Sequence, residues 1–165
     1  MIFISVLLAA TALSSTVPGV PRDAAAQENF FGQMATCQES WFDWKDDEAR
    51  MTEYRNRFSA NFTRIEEEAA FLPKGPGKVL GFPLIKVYPQ SVGMGVGFSV
   101  QLGGRFDKIR SEVEHRLGKS LDCSAEEGMS SCIAEIAENK KLTLMTSGDG
   151  ADTINLLGCY YYYQQ

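Results

Sequence analysis

Four cysteines, Cys37, Cys123, Cys132 and Cys159, constrain this chain more than any other feature of its sequence. In an oxidising compartment an even set in a short chain reads as two disulfides, with three possible connectivities. Cys123 and Cys132 bracket Ser-Ala-Glu-Glu-Gly-Met-Ser-Ser, a polar stretch with a glycine, so Cys123–Cys132 is the natural local staple. Cys37 and Cys159 would then join the two ends of the domain. Loop-closure entropy makes that long bridge the more stabilising one, worth about 4 kcal/mol. There is no Cys-x-x-Cys spacing, and His115 is the only histidine. Neither a metal site nor a redox thiol pair is therefore expected.

An oxidising compartment implies export, and the N-terminus agrees. Residues 2–13 form an apolar run, too short for the roughly 20 residues of a transmembrane helix and suited to a signal-peptide core. Small residues at Ala24-Ala25-Ala26 place the cut after Ala26, with Ala12 as the runner-up. The n-region lacks Lys and Arg, which departs from the usual pattern. The expected organisation is a signal peptide at 1–26, a lead-in at 27–40 and a single domain at 41–165. Its expected address is periplasmic or extracellular, with no stable membrane span after leader removal.

Apolar residues then set the elements. Trp44, Met51, Tyr54, Phe58, Phe62, Ile65 and Ala69 recur at helical spacing, which predicts a long amphipathic helix over 41–70. Pro73 ends it, and Lys74-Gly75-Pro76-Gly77 reads as a linker. Val79–Tyr88 and Val92–Leu102 read as a β-hairpin turned at Pro89-Gln90-Ser91. A second helix carries Phe106, Ile109, Val113 and Leu117 on one face, capped by Gly118. A short strand near Leu121 follows, then strands at 131–138, 141–147 and 153–163. The predicted fold is α+β: a long N-terminal helix, then β-β-α-β-β-β, with a mainly antiparallel sheet of about five strands, disulfide-stapled.

Several segments invite a chemical reading that their context weakens. Gly93, Gly95 and Gly97 alternate with Val92, Met94, Val96 and Phe98, which is period 2 within a strand and lacks the spacing of a dinucleotide loop. A strand face bared in this way admits close packing, most naturally of aromatic rings. Tyr160-Tyr161-Tyr162-Tyr163 supplies such rings: one pair can cover the glycines, and the run is also the candidate binding surface. His115, with Ser111 and Glu112 beside it, falls on the outer side of its helix, where a Ser-His-Asp site has no shelter from water. Glu66-Glu67-Glu68 and Glu126-Glu127 read as solvated charge, and Gly148–Asp152 as a turn without calcium-loop spacing. Asn61-Phe62-Thr63 is a glycosylation sequon inside the predicted long helix.

These features contain no catalytic residue set and no cofactor motif. The 165 residues carry a formal charge of −5, which argues against nucleic acid, and 44% apolar content with 11% aromatics argues against disorder. The expected function is a non-enzymatic exported domain that binds a protein, peptide or envelope component. Two alternatives are a carboxylate-dependent envelope hydrolase, and a small apolar-ligand carrier that uses the glycine face as a groove wall.

Overall fold

The computed structural model describes residues 22–39, 43, 46–92, 95–148, 150 and 153–162. Nine antiparallel strands form one sheet. They are β1 (Phe62–Ile65), β2 (Ala70–Pro73), β3 (Lys78–Val79), β4 (Phe82–Val92), β5 (Gly95–Leu102), β6 (Asp122–Glu126), β7 (Met129–Ala137), β8 (Lys140–Ser147) and β9 (Ile154–Tyr162). Helices α1 (Arg22–Ala35), α2 (Glu48–Asn61) and α3 (Phe106–Leu117) complete the α+β fold. The strand order is β1-β2-β4-β5-β9-β8-β7-β6, with β3 pairing onto β4. The sheet is thus larger than the roughly five strands expected: β1 and β2 form where helix 41–70 and its end at Pro73 were expected, the strand expected at Val79–Tyr88 is split into β3 and β4, and the short strand near Leu121 joins as β6.

The predicted helix over 41–70 is shortened at both ends. Asp47 caps α2 by accepting from the backbone N–H groups of Ala49 and Arg50, and the helix stops at Asn61. Phe62 is extended (φ −128°, ψ 151°), and residues 62–65 pair with 70–73 as a hairpin. Continuing the helix would have set Glu66-Glu67-Glu68 at its negative end. The hairpin instead spends those carboxylates in an exposed turn. Met51, Tyr54 and Phe58 do share the inward side of α2, as their spacing predicts, and Phe62 stays in the same aromatic cluster from a strand. Trp44 lies outside the described residues.

Helix α1 is an element that the lead-in expectation at 27–40 lacks. Phe31, Met34 and Ala35 fall at i, i+3 and i+4, and all are buried. They lie beyond Ala26, so cleavage there would leave these three buried residues in place. Phe31 meets Phe62 edge-on at 4.9 Å and Phe98 in a stack at 6.1 Å, while Phe58 meets Phe71 at 4.8 Å. Burial in this cluster pushes the Tyr54 hydroxyl well above its ordinary pKa.

The hairpin of β4 and β5 turns later than expected. Pro89, Gln90 and Ser91 are ladder residues opposite Phe98, Gly97 and Val96, and the ladder runs on to Val92 opposite Gly95; residues 93–94 lie outside the described residues. Pro89 lies beyond the reach of short β2, where β4 has a free edge, and an edge tolerates a residue with no N–H. Helix α3 forms as its pattern predicts: Ile109 and Val113 are fully buried, and Gly118 (φ 66°) ends it in the left-handed region.

Register shows that the core occupies one face of the sheet. Val87, Val100, Leu157, Leu144 and Cys132 lie opposite one another across five strands, followed along the chain by Phe98, Cys159, Leu142 and Ala134. All three helices contribute to the hydrophobic cluster on this face. Cys37, at the end of α1, bonds to Cys159 in the middle of the sheet, and Cys123 bonds to Cys132 directly across the β6–β7 ladder.

Candidate interaction surface

The helices join the cluster on the first face; on the other face Ser99 and Tyr160 are buried (2% and 8% accessible), while several large apolar residues are exposed. Along β9 the chain reads Ile-Asn-Leu-Leu-Gly-Cys-Tyr-Tyr-Tyr, and both alternating sets are rich in apolar residues. Leu157, Cys159 and Tyr161 enter the core, while Ile154, Leu156, Tyr160 and Tyr162 stand on the open side. Strands buried on one side alternate apolar with polar; strands apolar on both sides belong to sheets covered twice.

Cross-strand pairing gathers these side chains. Leu156 lies opposite Met145, and Ile154 lies opposite Ser147, which in turn faces Met129. Ile133 occupies the next row, opposite Thr143. Leu72, Met129, Ile133, Ile154 and Tyr162 are exposed large apolar residues of this face, each 40–44% accessible. The remaining one, Ile85 (40%), sits in the β-bulge of β4 beside Gly103. Thus the exposed large apolar side chains among the described residues collect on one side of the sheet.

The tyrosine run divides between the two faces. Tyr160 lies flat over Gly97, its cross-strand partner, and over Gly158; a Cβ on Gly97 would run into the ring and come within 2.7 Å of the Cys159 carbonyl oxygen. The ring fills the space that a groove along these glycines would need. Tyr161 is buried with the core, and its hydroxyl donates to Asp43 Oδ2 at 2.8 Å. Lys140 joins the same carboxylate at 2.8 Å. Burial works against the Lys140 charge, but the hydrogen bonds with Asp43 and Tyr161 outweigh it and raise its pKa. The cluster clasps the connection between α1 and α2 onto the sheet. Tyr162 is exposed, and Tyr163 lies outside the described residues. Of the four tyrosines, Tyr162 is the one whose described side chain offers open contact area.

Some polar groups of this face are engaged within the chain, while Asp122 and Glu126 of β6 lie on it directly opposite Ile133 and Met129. Tyr88 donates to Gln101 Oε1 at 3.2 Å, Lys86 pairs with Glu68 at 2.7 Å, and Lys141 pairs with Glu135 at 3.1 Å. The hydrogen bond to Glu68 holds the Lys86 ammonium above its ordinary pKa.

Catalytic geometry is sparse elsewhere. His115 is exposed in the last turn of α3, and its neighbour Glu112 pairs with Arg116 at 2.7 Å. An open depression of about 200 Å³ between α1 and α2 is lined by Phe30, Glu39, Arg50 and Glu53, but Glu53 is bonded to Arg57 at 2.7 Å. Glu126 and Glu127 are exposed at the β6–β7 turn, and Asp149, Ala151 and Asp152 lie outside the described residues. No group of three or more His, Cys, Asp or Glu residues is placed to hold a metal among the described residues. Likewise no described helix is long and apolar enough to cross a membrane.

Fold and surface together define a disulfide-stapled α+β protein whose helices join the core on one face of an antiparallel sheet, with several exposed apolar side chains on the other. Comparison of the chain with protein-family models, curated proteins and solved structures finds no match.

The strand residues Met129, Ile133, Met145, Ile154 and Leu156 were not singled out by sequence motifs. Alternation along β9 puts Ile154 and Leu156 on one side with Tyr160 and Tyr162, but their nearness to Met129, Ile133 and Met145 shows only when register is known.

Proposed function

We propose that this chain is an exported, non-enzymatic binding domain that docks a protein partner through the open face of its sheet. The observation that supports this reading is the gathering of Met129, Ile133, Ile154 and Tyr162 on one face, with Leu156 and Met145 between them. Exposed apolar side chains gathered on one face are a mark of protein contact. Two intramolecular disulfides suit an oxidising, exported setting. They also hold the sheet rigid, which lowers the ordering cost of binding.

The test uses the full chain with its disulfides intact, immobilised and exposed to solubilised envelope proteins. Ile133→Lys with Ile154→Lys changes two exposed positions without touching the core. Retention of a specific protein should fall about tenfold or more, the equivalent of at least 1.4 kcal/mol, while circular dichroism stays unchanged. If the double variant retains every protein that the wild type retains, the docking face is refuted.

A further inference from the structure

We propose that the partner presents an extended, cationic segment that adds to the sheet as a further strand along β6; this deepens the docking function proposed above and rests on it. Strand β6 ends the sheet, pairs only with β7 among the described residues, and has all five of its residues exposed. Its register against β7 runs without a bulge, and Asp-Cys-Ser-Ala-Glu contains no proline, so two usual guards of a sheet edge are missing. The Cα atoms of Cys123 and Cys132 are 4.0 Å apart, the close spacing of an antiparallel pair that exchanges no hydrogen bonds. The N–H and C=O of Cys123 therefore turn away from β7 toward the free edge, and alternation turns those of Ala125 the same way. These backbone groups are aligned to pair with an incoming extended chain.

The side chains of β6 select the chemistry of that chain. Asp122, Ser124 and Glu126 stand on the open face, opposite Ile133, Ser131 and Met129. Neither carboxylate has an ion pair among the described residues, whereas Lys86 and Lys141 of this face are matched by Glu68 and Glu135. The face is left net negative, with its two unmatched charges about 13 Å apart along one strand. Cations four residues apart in the added strand would lie directly across from them, in the close pairs where opposite charges interact most strongly. On the other side of β6, Cys123 and Ala125 present only a disulfide and a methyl group, which suits apolar residues between the cations. Met129 and Ile133 stand in the next row, where the protein that carries the segment can cover them.

The same carboxylates exclude other occupants of this edge. Two β6 strands paired about Ser124 would set each Asp122 against a Glu126, and like charges directly opposite repel. An anionic lipid surface or a nucleic acid meets the same repulsion. The Cys123–Cys132 bridge fixes β6 to β7, so the edge is presented already ordered.

The probe is a synthetic peptide with the core Arg-Val-Thr-Val-Arg, titrated to about 1 mM against the full, disulfide-bonded chain by calorimetry. Binding is expected, together with slower exchange of the Cys123 and Ala125 amide protons, followed by NMR. Methylating the backbone nitrogens of the two valines keeps the charge and side chains but removes the N–H groups that face β6, and should abolish binding. Replacing both arginines by glutamate should do the same. Asp122→Asn with Glu126→Gln, two exposed and nearly isosteric changes, should weaken the parent peptide about tenfold at low salt. No binding at the highest concentration overturns the proposal, as does unchanged affinity in any of these three controls. If no peptide binds, yet an envelope protein is retained and then lost in the Ile133→Lys, Ile154→Lys variant, pairing along β6 alone falls and the docking function stands.

Discussion

The two disulfides close loops of very different length, and removing them one at a time separates their contributions. Cys37 and Cys159 are 122 residues apart, and Cys123 and Cys132 are 9 apart. In the chain-entropy treatment the long loop restricts the unfolded chain by about 4.9 kcal/mol and the short one by about 2.7 kcal/mol. Replacing both cysteines of a pair by alanine should therefore lower stability in that order. Packing adds to the gap: Cys37 and Cys159 are both buried (4% and 1% accessible), so their loss opens space in the core at two positions, whereas in the short pair only Cys132 is buried and Cys123 lies on an exposed edge strand. Backbone strain does not blur the comparison, because Cys37 already holds φ 62° and alanine inherits the same conformation. At roughly 4 °C per kcal/mol for a domain of this size, the melting temperature should fall by about 20 °C and about 11 °C respectively. Urea titration at one protein concentration checks the origin of the effect, since freeing the long loop should also steepen the denaturant slope by exposing more surface on unfolding. Equal losses for the two pairs, or a larger loss for Cys123–Cys132, would refute the reasoning.

Two further perturbations probe the sheet and the aromatic cluster. Gly97→Ala pushes a methyl into the Tyr160 ring and toward the Cys159 carbonyl oxygen, and should cost about 1–3 kcal/mol in urea titration. Adding Tyr160→Ala should not restore it, because the carbonyl contact remains; wild-type stability for Gly97→Ala would contradict this placement. Burial raises the pKa of Tyr54, so the neutral phenol stabilises the fold below about pH 10 and that contribution is lost as the pH climbs beyond it. Tyr54→Phe should flatten the alkaline fall in stability, measured by denaturation across that range, and an unchanged fall would show that Tyr54 does not govern it.

Much of the fold is legible where one periodicity dominates. Ile109 and Val113 on α3, the Gly118 cap and the strands β7, β8 and β9 follow from spacing alone. Phe58, Phe62 and Ile65 also have helical spacing, yet only Phe58 is helical. Spacing over a few residues does not distinguish a continuing helix from a chain that turns into a hairpin while keeping Phe62 in the same aromatic cluster. The Glu66–Glu68 run held the missing information, because carboxylates disfavour a helix end and suit an exposed turn. Pro89 misleads in the opposite sense: it marks a turn by composition, but the edge of β4 accepts it. Of the surface, Tyr160 over the glycine face was legible from alternation. The burial of Tyr161 beside Asp43 and Lys140 depends on contacts between residues 118 and 97 positions apart, and no local pattern carries those.

The position of β9 has a consequence for the order in which the molecule can assemble. Residues 154–162 lie between β5 and β8, so the ladder from β1 to β5 and the ladder from β6 to β8 have no direct strand pairing until this segment arrives. Until then each half exposes an unpaired inner edge, the kind of strand edge that recruits other chains. The native position of Cys159 opposite Phe98 and Leu142 is reached in the same event, so the long bridge then ties Cys37 to the strand that joins the two ladders. A chain stopped short of residue 154 would be two sticky half-sheets, and conditions that slow β9 docking should favour aggregation over slow folding.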